Sequence, residues 1–183
     1  AQDLELLNSH YTEEEEEAGV INITTHNKMA NAENERKLAA LPGNPFVYEA
    51  TVVKDFPEHL YPLPAQLELK VGAQVMFIKN ASDGTYFNGK MAQVTRLNAD
   101  EITVEMEDHN EFTVEPHVWK NIKYQLNEEN QEITENELGS FEQFPLKLAW
   151  AITVHKSQGL TFDKAVLNLG RAFAPGQVYV ALS

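Results

Sequence analysis

The sequence predicts an α/β fold interrupted by an all-β insertion, and three observations carry that expectation. Residues 20–45 read as strand, polar turn and helix. Residues 46–118 break into short alternating segments at roughly ten-residue spacing, the pattern of a small barrel or sandwich. Residues 145–183 return to an apolar run, a compact polar cluster and a further strand. A strand–turn–helix unit needs a sheet to join. The two ends are therefore expected to share one sheet, with residues 1–45 and 141–183 as its halves and residues 46–140 as a guest barrel.

Each element has a local reason. Val20-Ile21-Asn22-Ile23-Thr24 is rich in β-branched residues, which suit a strand. Asn27 is placed to cap a helix over Lys28 to Leu41, and Pro42-Gly43 to stop it. The segments FVYEATVV, QVMFIKN, MAQVTRL, EITVEM and EFTVEP alternate apolar and polar residues. Turn residues part them at Asn80 to Gly84, Asn88-Gly89, Asn98-Ala99-Asp100 and Asp108-His109-Asn110. NEENQEITENELGS is polar and acidic and reads as a loop or weak hairpin. Beyond the apolar run FPLKLAWAITV, a strand is expected over Ala165 to Leu169. PGQVYVALS reads as a helix with Pro175 near its first turn. The run Glu13 to Glu17 repels itself and reads as a solvated loop or tail.

The totals bound the function. At 183 residues and 43% hydrophobic composition, a packed core is within reach. No stretch of 18 apolar residues occurs, so no membrane span is expected. The opening AQDLELLNSH lacks the basic start and apolar stretch of a secretory leader. The absence of cysteine excludes disulfides and thiolate metal sites, and it fits a reducing, cytoplasmic setting. The net charge of −14 argues against a nucleic-acid partner. Its distribution argues otherwise: residues 145–183 hold Lys147, Lys156, Lys164 and Arg171 against Asp163, a local +3, which leaves −17 on residues 1–144.

Two stretches carry candidate chemistry. GTYFNGKM, residues 84–91, matches the phosphate loop G-x-x-x-x-G-K-[ST] except that Met91 stands where a hydroxyl must hold Mg²⁺. That loop works at a helix N-terminus, where backbone N–H groups face the phosphates. Here AQVTRLNADEITVEM follows and alternates like two strands, so Asn88-Gly89 is read as a hairpin turn and Lys90 as a solvated side chain. The second stretch, AITVHKSQGLTF, gathers Thr153, His155, Lys156, Ser157, Gln158 and Gly159. Hydroxyl, imidazole, ammonium and amide groups all donate to phosphates or bases. On composition alone, a capped helix end with a solvated lysine fits equally well. His155 is no metal candidate, because the other histidines (10, 26, 59, 109 and 117) keep no ligand spacing with it.

AWAITVHKSQGLTFDKAVLNLG followed by PGQVYVALS resembles motifs V and VI of superfamily 1 helicases in their RecD-like branch. LKVGAQVMFIKN with FNGKMAQV resembles the SH3-like barrel inserted into the second RecA-like domain of that branch, and ITTHNKMANAENERKLAAL resembles its motif IV region. The resemblance spans most of residues 20–183 in the same order. It implies an incomplete RecA-like, P-loop NTPase-type domain interrupted by an SH3-like barrel, from an ATP-dependent DNA helicase. Thr153, His155, Lys156 and Ser157 match the positions that hold the backbone of single-stranded DNA. Gln158, Gly159 and, in motif VI beside Tyr179, Gln177 match the nucleotide side of the cleft. Asn27, Asn88 and Lys90 are candidates for weak DNA contacts. The resemblance also implies ATP and Mg²⁺ as cofactors and a single strand or fork as substrate. The first RecA-like domain, with its phosphate loop, would stand upstream of residue 1, and an arginine finger would follow Ser183. The rival is a non-enzymatic SH3-like barrel module that binds protein or nucleic acid. Titration calorimetry of the chain with ATP should show no binding, and micromolar affinity abolished by Lys90→Ala would restore the phosphate-loop reading.

Overall fold

The computed structural model describes residues 9, 19–107, 109–126, 133–162, 164–168 and 176. The strands in chain order are β1 (Ile21–Thr24), β2 (Phe46–Glu49), β3 (Thr51–Lys54), β4 (Gln66–Leu69), β5 (Gln74–Phe77), β6 (Met91–Leu97), β7 (Ile102–Glu105), β8 (Glu111–Val114), β9 (His117–Leu126), β10 (Ile133–Gln143), β11 (Leu146–Leu148), β12 (Ala151–Thr153) and β13 (Ala165–Asn168). Helices with described bounds include α1 (Asn27–Ala40) and the single turn α2 (Val154–Ser157), and a 3-10 turn spans Glu58–Leu60.

Backbone pairing sorts these strands into one parallel and three antiparallel sheets. The parallel sheet has the order β12-β1-β13, so the segment before the insertion lies between two segments that follow it. The expected sharing of one sheet by the two chain ends is present. The insertion forms a five-stranded sheet β11-β5-β6-β7-β8, a three-stranded sheet β3-β10-β9 and the pair β2-β4. β11, beyond the expected boundary at residue 140, pairs with β5 in the antiparallel sheet.

β5 is the shared wall. All four of its residues are buried. Val75 and Phe77 enter the core of the antiparallel sheets with Leu69, Val94, Ile102, Val104 and Leu146. Met76 points to the other face and packs with Ile21, Ile23, Ile152 and Val154 of the parallel-sheet unit. A strand buried on both faces reads as a continuous apolar run rather than a clean alternation, and QVMF is such a run.

Buried carboxamides tie the elements together. Gln74 donates from Nε2 to the carbonyls of Val20 (3.1 Å) and Ala149 (2.9 Å), and its Oε1 accepts from the Gly19 N–H (3.2 Å). It therefore grips the chain on its way into β1 and on its way out of β11. Asn34 does the same for α1: its Nδ2 donates to the Ala151 carbonyl and its Oδ1 accepts from the Ala151 N–H, both at 2.9 Å. Ala30, Asn34 and Leu38 fall on one helix stripe, so a polar residue sits where an apolar one would mark the buried face. Lys70 donates to the Leu41 carbonyl at 2.9 Å, satisfying a helix-end acceptor from the insertion.

A third core, Phe56, Leu63 and Phe141 with Tyr61 and Trp119, fills the space beneath the β9–β10 hairpin. The pairing of this hairpin slips between Glu137 and Gly139. There Gly139 lies so close to the backbone of Asp55 and Val53 that a Cβ would stand 2.6 Å from their atoms.

Several local expectations change. His26, not Asn27, is the N-cap of α1, and no side chain caps it. Asn27 is the first helical residue, because His26 keeps extended dihedrals (φ −129°, ψ 135°). FVYEATVV breaks at Ala50 into β2 and β3, which join different sheets. Ile133 to Ser140 of the acidic stretch belong to β10, whose cross-strand pairs with β9 hold them in extended form. Asn88-Gly89 does not make a two-residue hairpin. It closes the far end of the connection from β5 to β6, with the Lys90 N–H bonded to the Phe87 carbonyl (3.0 Å). Only Gly89 takes positive φ there, whereas the type I′ hairpin needs both residues positive. Leu169, Glu13 to Glu17 and the PGQVYVALS segment other than Gly176 lie outside the described residues.

Replacing Gln74 with Met keeps the shape of the side chain and strands two carbonyls and one N–H. Urea unfolding should show a loss of about 2–3 kcal/mol with an unchanged slope, and an unchanged midpoint would show that the amide clamp contributes nothing.

Candidate functional site

Parallel strands end together, and here they end on polar residues. Thr24 at the end of β1 pairs with Thr153 at the end of β12 and with Asn168 at the end of β13. Open α/β sheets place ligands outside these carboxyl ends. Two loops leave this edge: His26 and Asn27 lead into α1, and residues 154–160 carry the polar cluster singled out in the sequence.

The structure sorts the members of that cluster. Thr153 is 4% exposed and precedes α2 without capping it. Val154 is buried in the core shared with Met76 and anchors the turn from below. His155 and Lys156 stand exposed on the outer face of the turn. Ser157 donates its hydroxyl proton to the Val154 carbonyl at 2.8 Å, so in this state the proton is committed within the turn. Gln158 is exposed, and Gly159 takes φ +74°, the left-handed conformation that ends the turn. Leu160 then bonds back through its N–H to the Ser157 carbonyl (3.0 Å) and inserts its side chain into the core. The loop is thus pinned by Val154 and Leu160 with its cationic tip outward, an arrangement able to grip an anionic backbone by charge and hydrogen bonding.

On the neighbouring strand end, Thr25 Oγ1 lies 2.7 Å from His26 Nδ1, and Thr24 donates to the His26 carbonyl at 3.2 Å. These threonines were not among the sequence candidates. The polar pair directly after a strand in ITTHN was the available signal. Asn27 is exposed at the start of α1 on this same edge. Gln177 and Tyr179 lie outside the described residues.

The stretch GTYFNGKM meets the site from the side. Gly89, at φ +99°, packs so closely on Leu160 that a Cβ would stand 3.1 Å from its Cδ2. Lys90 is not the free cation expected: its Nζ lies 2.7 Å from Glu107 Oε2 and 5.9 Å from the centroid of the Phe87 ring. Met91 opens β6 rather than a helix. The described residues therefore do not fit a phosphate loop with Mg²⁺. They include no group of three acidic or histidine side chains placed to hold a metal. Asn88 is exposed on the same turn, with its N–H donated to Asn80 Oδ1 at 2.8 Å.

One further cation belongs to this region. Lys147, on β11, is held below the ordinary lysine range by burial and, second, by the charge of Lys156.

Comparison with known proteins places these features in one lineage. The chain is 34% identical over 98% of its length to the ATP-dependent DNA helicase Pif1 of Bdellovibrio bacteriovorus, covering 40% of that protein. It is 36% identical over 88% of its length to the human ATP-dependent DNA helicase PIF1, covering 25% of it. The crystal structure of Bacteroides Pif1 in complex with ADP-AlF4 superimposes with a TM-score of 0.91 at 39% identity, over 100% of this chain and 42% of that one. Bacteroides Pif1 bound to single-stranded DNA gives 0.76 at 40% identity, over 99% of this chain and 42% of that one. No protein-family model matches the chain. Its homologues are thus Pif1 helicases of superfamily 1, and the chain spans at most about two fifths of the length of those relatives.

Gly89→Ala should destabilise the chain by about 1–2 kcal/mol, through positive φ and through the push on Leu160. Thermal or urea unfolding of a double-mutant cycle with Leu160→Ala separates the two causes. The cost of Gly89→Ala should fall in the Leu160→Ala background, which removes the 3.1 Å Cδ2 contact and keeps the 3.2 Å Cβ contact, and strict additivity would show that the Leu160 atoms beyond Cβ add nothing to the cost.

Proposed function

We propose that this chain is part of an ATP-dependent DNA helicase of the RecD-like branch of superfamily 1, and that it forms most of the second RecA-like domain with an SH3-like barrel inserted at residues 46–140. The observation that carries this reading is the HKSQG turn, held at the carboxyl edge of a parallel sheet in a chain whose relatives are named as ATP-dependent DNA helicases.

In this reading Thr153, His155, Lys156 and Ser157 hold the backbone of a single strand. His155 and Lys156 make the outward charged and hydrogen-bonding contacts, while Thr153 shapes the floor of the turn. Contacts to phosphate and sugar position a strand without reading its sequence, so the enzyme tolerates any sequence. Gln158, Gly159 and Gln177 face the nucleotide. ATP and Mg²⁺ are held between this domain and a first RecA-like domain that carries the true phosphate loop. Closing that cleft on ATP and opening it after hydrolysis moves the strand past the turn. Asn27, Asn88 and Lys90 add weak contacts at most, and for Lys90 any contact requires release from Glu107.

The test joins this chain to the first RecA-like domain and the arginine that follows motif VI, then measures ATP hydrolysis with and without oligothymidylate. His155→Ala and Lys156→Ala should each lower the DNA-stimulated rate by about tenfold or more while leaving the unstimulated rate intact. Stimulation that survives both changes removes the strand-binding role of the turn. No ATP hydrolysis in the joined protein favours a non-enzymatic barrel module.

A further inference from the structure

The antiparallel sheet carries a cation, Lys147, on the face that packs beneath the polar turn. In an antiparallel pair, residues directly opposite share a face. Lys147 lies opposite Met76, and Met76 lies opposite Met91. This three-strand row faces the core that carries the polar turn, because Met76 and Met91 pack there with Val154, Leu160 and Phe162. The flanking residues Leu146 and Leu148 turn the other way, into the antiparallel core. Lys147 thus lies on the side of the sheet that faces the turn carrying Lys156.

Lys147 is also unsatisfied. Its side chain is half-buried, yet it makes no hydrogen bond or ion pair among the described residues. Lysine is seldom buried without a partner. The charge that reaches it is that of Lys156, which has the same sign. Two ammonium groups, one partly desolvated, raise each other's energy until an anion lies between them. Methionine, present at the two neighbouring positions of the row, would fill the space without that cost.

We propose that Lys147 and Lys156 together hold one phosphodiester of a bound single strand, which makes Lys147 a strand-binding residue contributed by the antiparallel sheet. This rests on the strand-binding reading of the HKSQG turn and extends the site across the boundary between the two units. Among the described residues Lys147 has no partner that a phosphate would displace.

Fluorescence anisotropy of the 183-residue chain with labelled oligothymidylate over a salt series tests this. Lys147→Met should weaken binding by about three- to tenfold at low salt and make the log–log salt slope shallower by about 0.7, the value for one contact to a single strand. Lys147→Arg should keep both affinity and slope. Lys147→Met should also leave the thermal midpoint unchanged or raised, since it removes an uncompensated charge; a lowered midpoint with unchanged affinity would mark a structural lysine and overturn the proposal. In the unaltered chain with methylated lysines, the Lys147 NMR signal should titrate at higher pH once oligothymidylate is added, and an unmoved midpoint overturns the proposal without any variant. If Lys156→Gln weakens binding and Lys147→Met does not, the turn keeps its role and Lys147 loses its own. If Lys147→Met lowers affinity for ATP in place of the strand, the phosphate is the nucleotide's and the proposal fails. If the unaltered chain binds no oligothymidylate, or if His155→Ala, Lys156→Gln and Lys147→Met all leave binding unchanged, the strand-binding reading itself falls.

Discussion

The rest of the structure depends on β5 being buried on both faces. It is a four-residue strand whose side chains alternate between two cores, so both units share it. Its first residue adds the polar half of the constraint. The Gln74 amide satisfies backbone groups on the segments entering β1 and leaving β11. Apolar contact alone would let the two units slide; directional bonds from one buried side chain fix their register. The antiparallel sheets and the parallel sheet therefore share one wall.

That constraint reaches the site. The polar turn has only four helical residues and cannot hold its own shape. It is shaped by Val154 and Leu160, which enter the core that Met76 lines, and by Gly89, which comes close enough to Leu160 to leave no room for a side chain. Asn34 holds the strand that leads into the turn through both polar groups of Ala151. The exposed tip, His155 and Lys156, takes no part in that packing. Charge follows the same division. Of the cations in residues 145–183, Lys147 and Lys156 stand on β11 and α2, next to or within the turn.

Much of this was legible in the sequence, for identifiable reasons. Period-two alternation in MAQVTRL and EFTVEP, β-branched residues in VINIT and the Pro42-Gly43 stop are local signals, and the corresponding elements formed. The helix start shifted by one residue because His26 keeps extended dihedrals beside Thr25. The Asn88-Gly89 turn was located correctly, but its geometry answers to Leu160, more than seventy positions away in the chain. FVYEATVV carries no mark at Ala50 to show that its halves belong to different sheets. Asn34 and Gln74 look like surface residues to any composition-based reading, because nothing local says that a carboxamide will meet stranded backbone groups.

By itself, the sequence determined the chemical content: which residues can form strands, where helices start and stop, that GTYFNGKM lacks the hydroxyl a phosphate loop needs, and that HKSQG concentrates donors in one turn. These are properties of side chains and near neighbours, and they survive in any fold. The tertiary structure alone decided which donors face outward, that Lys90 is committed to Glu107 while Lys147 has no partner among the described residues, and that the glycine of a failed ATP motif became the seat for Leu160. Those outcomes depend on which distant strands become neighbours. That pairing follows from burying two cores at once, a condition written across the whole chain and in no single segment of it.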